Sequence, residues 1–141
     1  MPAGTIGQFK LIKMTNEAQI RMLIENWAAA IRNKDIDGIL AHHSADLVMF
    51  DVPLPFQSVG IDAYRKTWDL FFKYTKPGVF DITELNIIAD EQVAFCYATM
   101  KCSDKSSSDE FVELPFRLTI GLKKTGEQWV IVHEHHSIPG N

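Results

Sequence analysis

Ile20, Leu23, Ile24, Trp27, Ala28 and Ile31 recur at three- and four-residue steps, which predicts an amphipathic helix from Asn16 to about Arg32. Thr15 or Asn16 has a side chain able to cap its start, and Asn33-Lys34 breaks it. A short second helix follows, with Asp35 as cap and Ile36, Ile39 and Leu40 on its inner side. "LVMFDV", residues 47–52, reads as a strand that Pro53 and Pro55 stop. Asp62 is placed to cap a third helix, along which Tyr64, Trp68, Phe71 and Phe72 form an aromatic stripe; Pro77-Gly78 closes it. Beyond it the pattern is all strand, over about 79–89, 92–103, 110–123 and 128–138, with polar turns at "ADEQ", "DKSSSD" and "KTGEQ". Connections this short join antiparallel neighbours.

Helices first and strands after make an α+β domain, with three N-terminal helices packed on one face of a curved antiparallel sheet. The aromatics of the first and third helices then fall between the layers, in a solid core or around a pocket. Residues 1–14 read as a flexible tail and 15–141 as a single domain. A chain of 141 residues folding alone buries roughly 70% of the surface its unfolded form exposes. With 46% apolar and 23% charged residues it needs no metal or disulfide staple. The net charge of −4 and scattered basic residues exclude a nucleic-acid or anionic-membrane partner. Cys96 and Cys102 lie in one strand about 20 Å apart, too far for a mutual disulfide. Reduced thiols and the absence of a signal-type or membrane-spanning stretch suit the cytoplasm.

Chemistry concentrates at the end of the chain. "WVIVHEHHSIPG", residues 129–140, holds three of the five histidines and a glutamate in four consecutive positions. Strand alternation divides it: Val130, Val132, Glu134 and His136 face one way, Trp129, Ile131, His133, His135 and Ser137 the other. No phosphate-binding glycine loop or serine nucleophile elbow occurs.

The order of elements, the stretch "KDIDGILAHHSADLVMFDVPLPFQSVGIDAYRKTWDLFF" and the ending "TIGLKKTGEQWVIVHEHHSIP" resemble the SnoaL-like or ketosteroid-isomerase-like branch of the nuclear transport factor 2 (NTF2-like) superfamily, over roughly residues 16–139. The resemblance implies a cone-shaped fold with a pocket between helices and sheet, and a homodimer built through the sheet face. It fixes no reaction. Ketosteroid isomerase uses an Asp base with a Tyr and a protonated Asp holding the oxyanion. Those three places fall here on Val52, Trp27 and Leu118, with Asp51 one residue before the base position. Steroid isomerisation is therefore not expected. The related hub domain of calcium/calmodulin-dependent kinase has an inward-pointing Arg at the place of His136. By that likeness Glu134 and His136 face the pocket and His133 and His135 the dimer partner.

Glu134 is then the candidate general base, its pKa raised by an aromatic pocket, with His136 assisting. Alternatively Glu134 only pins the sheet by pairing with Arg117 or a histidine. Trp27, Phe50, Tyr64, Trp68 and Tyr97 are candidate walls for a small apolar or aromatic ligand, and Asp51 guards the mouth or anchors a loop. His133 and His135 have the spacing of a metal-binding pair but no evident third ligand, and His42-His43 sits far off in sequence. No cofactor is expected. The reading is cofactor-independent proton transfer, isomerisation or hydration on a small apolar carbonyl compound, or else a non-catalytic ligand-binding or dimerisation module.

Overall fold

The structure is a computed structural model that describes residues 14–76, 78–105 and 110–140. The expected tail up to residue 13 and the "SSSD" turn at 106–109 lie outside the described residues.

Three helices and six strands follow one another as α1 (Asn16–Arg32), α2 (Ile36–Leu40), β1 (His43–Phe50), β2 (Ser58–Val59), α3 (Ile61–Tyr74), β3 (Phe80–Ala89), β4 (Val93–Lys105), β5 (Phe111–Thr125) and β6 (Gln128–Ser137). Thr15 caps α1 by accepting from the Ala18 N–H at 3.1 Å, and Asp35 caps α2 by accepting from the Gly38 N–H at 3.2 Å. Gly38 is required there: a Cβ would lie 2.6 Å from Asp35 Oδ2 and 2.9 Å from the Ala30 Cβ. The cap of α3 departs from expectation. Gly60, at φ +91°, occupies the N-cap, and Asp62 sits inside the first turn, where its charge still favours the positive end of the helix.

The sheet runs β2-β1-β6-β5-β4-β3. Every pairing is antiparallel except β1 with β6, which is parallel. The first strand starts four residues earlier than the apolar run suggests and so takes His43 into the sheet. The two-residue β2 was not foreseen; it pairs Val59 with Val48. On the inner face Ala94, Cys96, Ala98, Met100 and Cys102 of β4 and Phe116, Leu118, Ile120 and Leu122 of β5 are buried in strict alternation. They meet Ile20, Ile24, Trp27 and Ile31 from α1 and Tyr64 and Trp68 from α3.

On β6 the alternation breaks once. Leu122 pairs with Ile131 but Gly121 pairs with His133, so Val132 is an extra residue in that ladder. Such a bulge resets which parity faces the core. Trp129 and Ile131 are consequently buried on the same side as Glu134 and His136, contrary to the strict alternation expected from the sequence.

Candidate functional site

Glu134 is fully buried on the inner face of β6, and three groups converge on it. His43 from β1 places Nε2 2.6 Å from Oε2. Tyr64 from α3 donates its hydroxyl to the same oxygen at 2.7 Å. His136, two residues along β6, places Nε2 2.9 Å from Oε1. Behind Tyr64, the Trp27 indole N–H donates to the phenol oxygen at 2.9 Å. An isolated carboxylate at this depth would be prohibitively costly; these donors are what permit it.

The donor count fixes the protons. His43 Nδ1 lies 2.9 Å from the Ala41 carbonyl, which only accepts, so Nδ1 carries hydrogen. Nε2 therefore shares a second proton with Glu134, and with Glu134 ionised His43 donates from both nitrogens. Burial pushes the Glu134 pKa upward. The hydrogen bonds and charges of His136 and His43 outweigh it and bring the value down to about 2. The expected upward shift is thus reversed, because the carboxylate meets imidazoles and not only aromatic walls. Tyr64 moves the opposite way, well above the usual phenol value, through burial and then the charge and hydrogen bond of Glu134; the nearby indoles of Trp27 and Trp68 oppose this more weakly.

A cavity of about 400 Å³ opens beside this cluster between α3 and the sheet. Its apolar wall includes Trp68, Phe71, Phe80, Leu114, Phe116 and Ile138; Asp51, Tyr74 and His136 supply polar groups. His136 is 7% exposed and its ring stacks on Phe116 with centroids 6.0 Å apart. Trp68 stands edge-on to it at 5.9 Å. Glu134 lies behind His136 and does not line the cavity. His136 Nδ1 has no hydrogen bond among the described residues. It is not a sealed orphan either, since the single such atom among them is Trp68 Nε1. The His136 ring itself lines the cavity.

The other expected wall residues divide. Trp68 and Asp51 line the cavity, while Trp27 and Tyr64 are buried behind it with their polar tips spent on the Glu134 network. Phe50 and Tyr97 are exposed. Tyr97 stacks on Phe95, also exposed, at 6.4 Å, and Phe50 stands edge-on to His133 and His135. All five belong to the outer face of the sheet. Arg117 is there too, bonding the Ser137 hydroxyl at 3.1 Å, and so is no partner for Glu134. His133 turns Nδ1 to the Val48 carbonyl at 2.6 Å and His135 is exposed. Among the described residues no group of three His, Cys, Asp or Glu side chains is arranged to hold a metal ion. Cys96 is inert in its burial, which pushes its thiol up to about 12.

His43 is the residue sequence reasoning missed. Strand parity gives no usable signal for it: Ala45, of the same parity, is exposed, and the pairing with β6 shifts register between His43 and Val48. From Leu47 to Met49 the odd positions are buried. The same parity carries Asp51 inward.

A family model for the SnoaL-like domain matches residues 20–141. An NTF2-like protein of unknown function from Pseudomonas putida KT2440 superposes with a TM-score of 0.78 at 33% identity, over 92% of each chain. A ketosteroid isomerase-like protein from Erwinia carotovora atroseptica SCRI1043 superposes at 0.73 with 17% identity, over 88% of this chain and 97% of that one; at that identity the likeness is one of fold. No match was found among curated proteins. No described helix is long and apolar enough to cross a membrane. With its helices on one face of a largely antiparallel sheet and the family model covering nearly all of it, the chain belongs to the SnoaL-like domain family, on the NTF2-like α+β cone fold.

Proposed function

We propose that this protein binds a small apolar carbonyl compound and moves a proton on it, with His136 as the general base and Glu134 as the group that orients it. The observation that carries this reading is the contrast between the two ring nitrogens of His136. Nε2 is held by the buried Glu134 carboxylate, whereas Nδ1 is bonded to no described residue and belongs to a ring that lines the apolar cavity. A carboxylate accepts only, so Nε2 carries the hydrogen and Nδ1 presents its lone pair to the ligand. This exchanges the roles that sequence alone suggested, because a carboxylate outside the cavity cannot touch the reacting carbon.

The cycle needs no group beyond those present. His136 Nδ1 takes a proton from the carbon next to the carbonyl, becoming an imidazolium whose charge is offset by Glu134 through Nε2. The electron pair passes into the enolate. The proton then returns to the same or a conjugated carbon, so exchange, isomerisation and loss of a β-hydroxyl share one first step.

A purely binding role is the second reading, favoured by the complete satisfaction of Glu134 within the protein. Deuterium exchange separates the two. Acetophenone and cyclohexenone incubated with protein in D₂O would be followed by proton NMR. The wild type should exchange the hydrogens next to the carbonyl, and His136→Gln should slow this by about 100-fold or more. Exchange by His136→Gln at the wild-type rate would remove His136 as base. Binding of both ketones without exchange would leave the binding role.

A further inference from the structure

Asp51 follows β1 directly, and the parallel ladder of β1 with β6 pairs Phe50 with His135. One step further along both chains stand Asp51 and His136, on neighbouring strands about 5 Å apart by sheet spacing. Both residues line the cavity. Oδ1 of Asp51 accepts from the Val52 N–H at 2.8 Å. Among the described residues the cavity wall contains no Lys or Arg. Its other hydroxyl groups are largely committed: Thr67 donates to the Tyr64 carbonyl at 2.6 Å and Thr75 to the Phe71 carbonyl at 2.7 Å.

From this we infer that Asp51 sets the charge class of the ligand: the cavity admits neutral and cationic apolar molecules and turns carboxylates away. This deepens the pocket reading above and rests on it. A carboxylate entering the cavity meets a second carboxylate beside His136, with no lysine or arginine among the described wall residues to offset it. The apolar wall weakens the screening that water would give. An alcohol, a ketone or an ammonium group meets no such penalty, and the two hydrogen-bond donors among them, hydroxyl and ammonium, find an acceptor in Asp51. The residue acts on which molecules bind and takes no proton in the proposed cycle.

The test is a ligand-observed NMR titration at neutral pH with cyclohexanol, cyclohexylamine and cyclohexanecarboxylate, three compounds of one ring and similar size. Wild-type protein should bind the alcohol and the amine and hold the carboxylate at least about tenfold more weakly than the alcohol, equivalent to about 1.4 kcal/mol. Asp51→Asn keeps the Oδ1 acceptor for the Val52 N–H and removes the charge, so it should close that gap and weaken the amine relative to the alcohol. A carboxylate that binds wild type as tightly as the alcohol overturns the inference, as does an order unchanged in Asp51→Asn. The measurement involves no turnover. If the exchange assay fails while this order holds, charge selection stands and the chemistry falls; if none of the three binds, the pocket reading falls with the inference.

Discussion

His135 and His136 are adjacent on one strand and live in different solvents. His136 lies among Trp27, Trp68 and Phe116 with a carboxylate at Nε2. His135 is exposed on the far side of the sheet, where Phe50 is its ring neighbour. His133 shares that outer side and spends its Nδ1 on a backbone carbonyl. The clustering that drew attention in the sequence is thus two unrelated pieces of chemistry divided by a sheet. Inside, each polar group depends on the others, because water is not there to replace a lost partner. Outside, water replaces most of what a substitution removes.

The sharpest break of that comparison is at Glu134. Glu134→Ala takes the acceptor from His43, His136 and Tyr64 at once, and should cost about 3–5 kcal/mol in urea unfolding, since it strands buried donors in place. His133→Ala should cost about 1 kcal/mol, one hydrogen bond to the Val48 carbonyl. His135→Ala should fall within about 0.5 kcal/mol of wild type. Equal costs across the three would mean that the two faces do not differ as described.

Acid sharpens the contrast further. The Glu134 carboxyl ionises near 2 in the folded protein against an ordinary 4.5. Between those values the unfolded chain takes up a proton that the native carboxylate refuses. This contribution to stability is therefore complete above about pH 4.5 and is lost as pH falls towards 2. Urea midpoints measured across that range should drop steeply for wild type and less for Glu134→Gln, which has no proton to gain. His133→Ala and His135→Ala should keep the wild-type slope. A Glu134→Gln profile parallel to wild type would place the acid sensitivity elsewhere.

How much of this was legible depends on the range of the interaction. The first helix, the aromatic stripe of α3 and four long strands follow from local periodicity, and the structure has them near the expected positions. The likeness to a relative had Glu134 and His136 both facing the pocket; both are buried on the inner face, but only His136 lines the cavity, and the alternation that accompanied it is faulty. Parity counted from Glu134 put Trp129 and Ile131 outside, because nothing local announces an extra residue at Val132. Of the two kinds of partner expected for Glu134, a histidine is found and Arg117 is not. Arg117 is on the neighbouring strand but on its outer face, whereas His43, ninety-one residues away in sequence, arrives only through the parallel β1–β6 pairing. Tyr64 was read as a wall residue, and its role as donor to Glu134 depends on α3 crossing behind the cavity.

A single methyl at the bulge gives a small expected effect and a direct check on the two faces. Opposite it, a Cβ on Gly121 would stand 3.6 Å from the His133 Cβ and 4.0 Å from Val132 Cγ2, ordinary contact distances. Val132 and His133 therefore share the outer face, with room for one methyl between them and β5. Gly121→Ala should lie within about 0.5 kcal/mol of wild type, since the contact is tolerable and the glycine's excess chain entropy in the unfolded state is removed. Gly121→Val adds two methyl groups in the same place and should lose about 1–3 kcal/mol through overpacking. The deuterium-exchange rate of the folded Ala variant should match wild type, because the change is on the side of the sheet away from His136. A Gly121→Ala protein as damaged as Gly121→Val would mean that strand β6 carries no extra residue there, and the parity that brings Trp129, Glu134 and His136 to one face would need another cause.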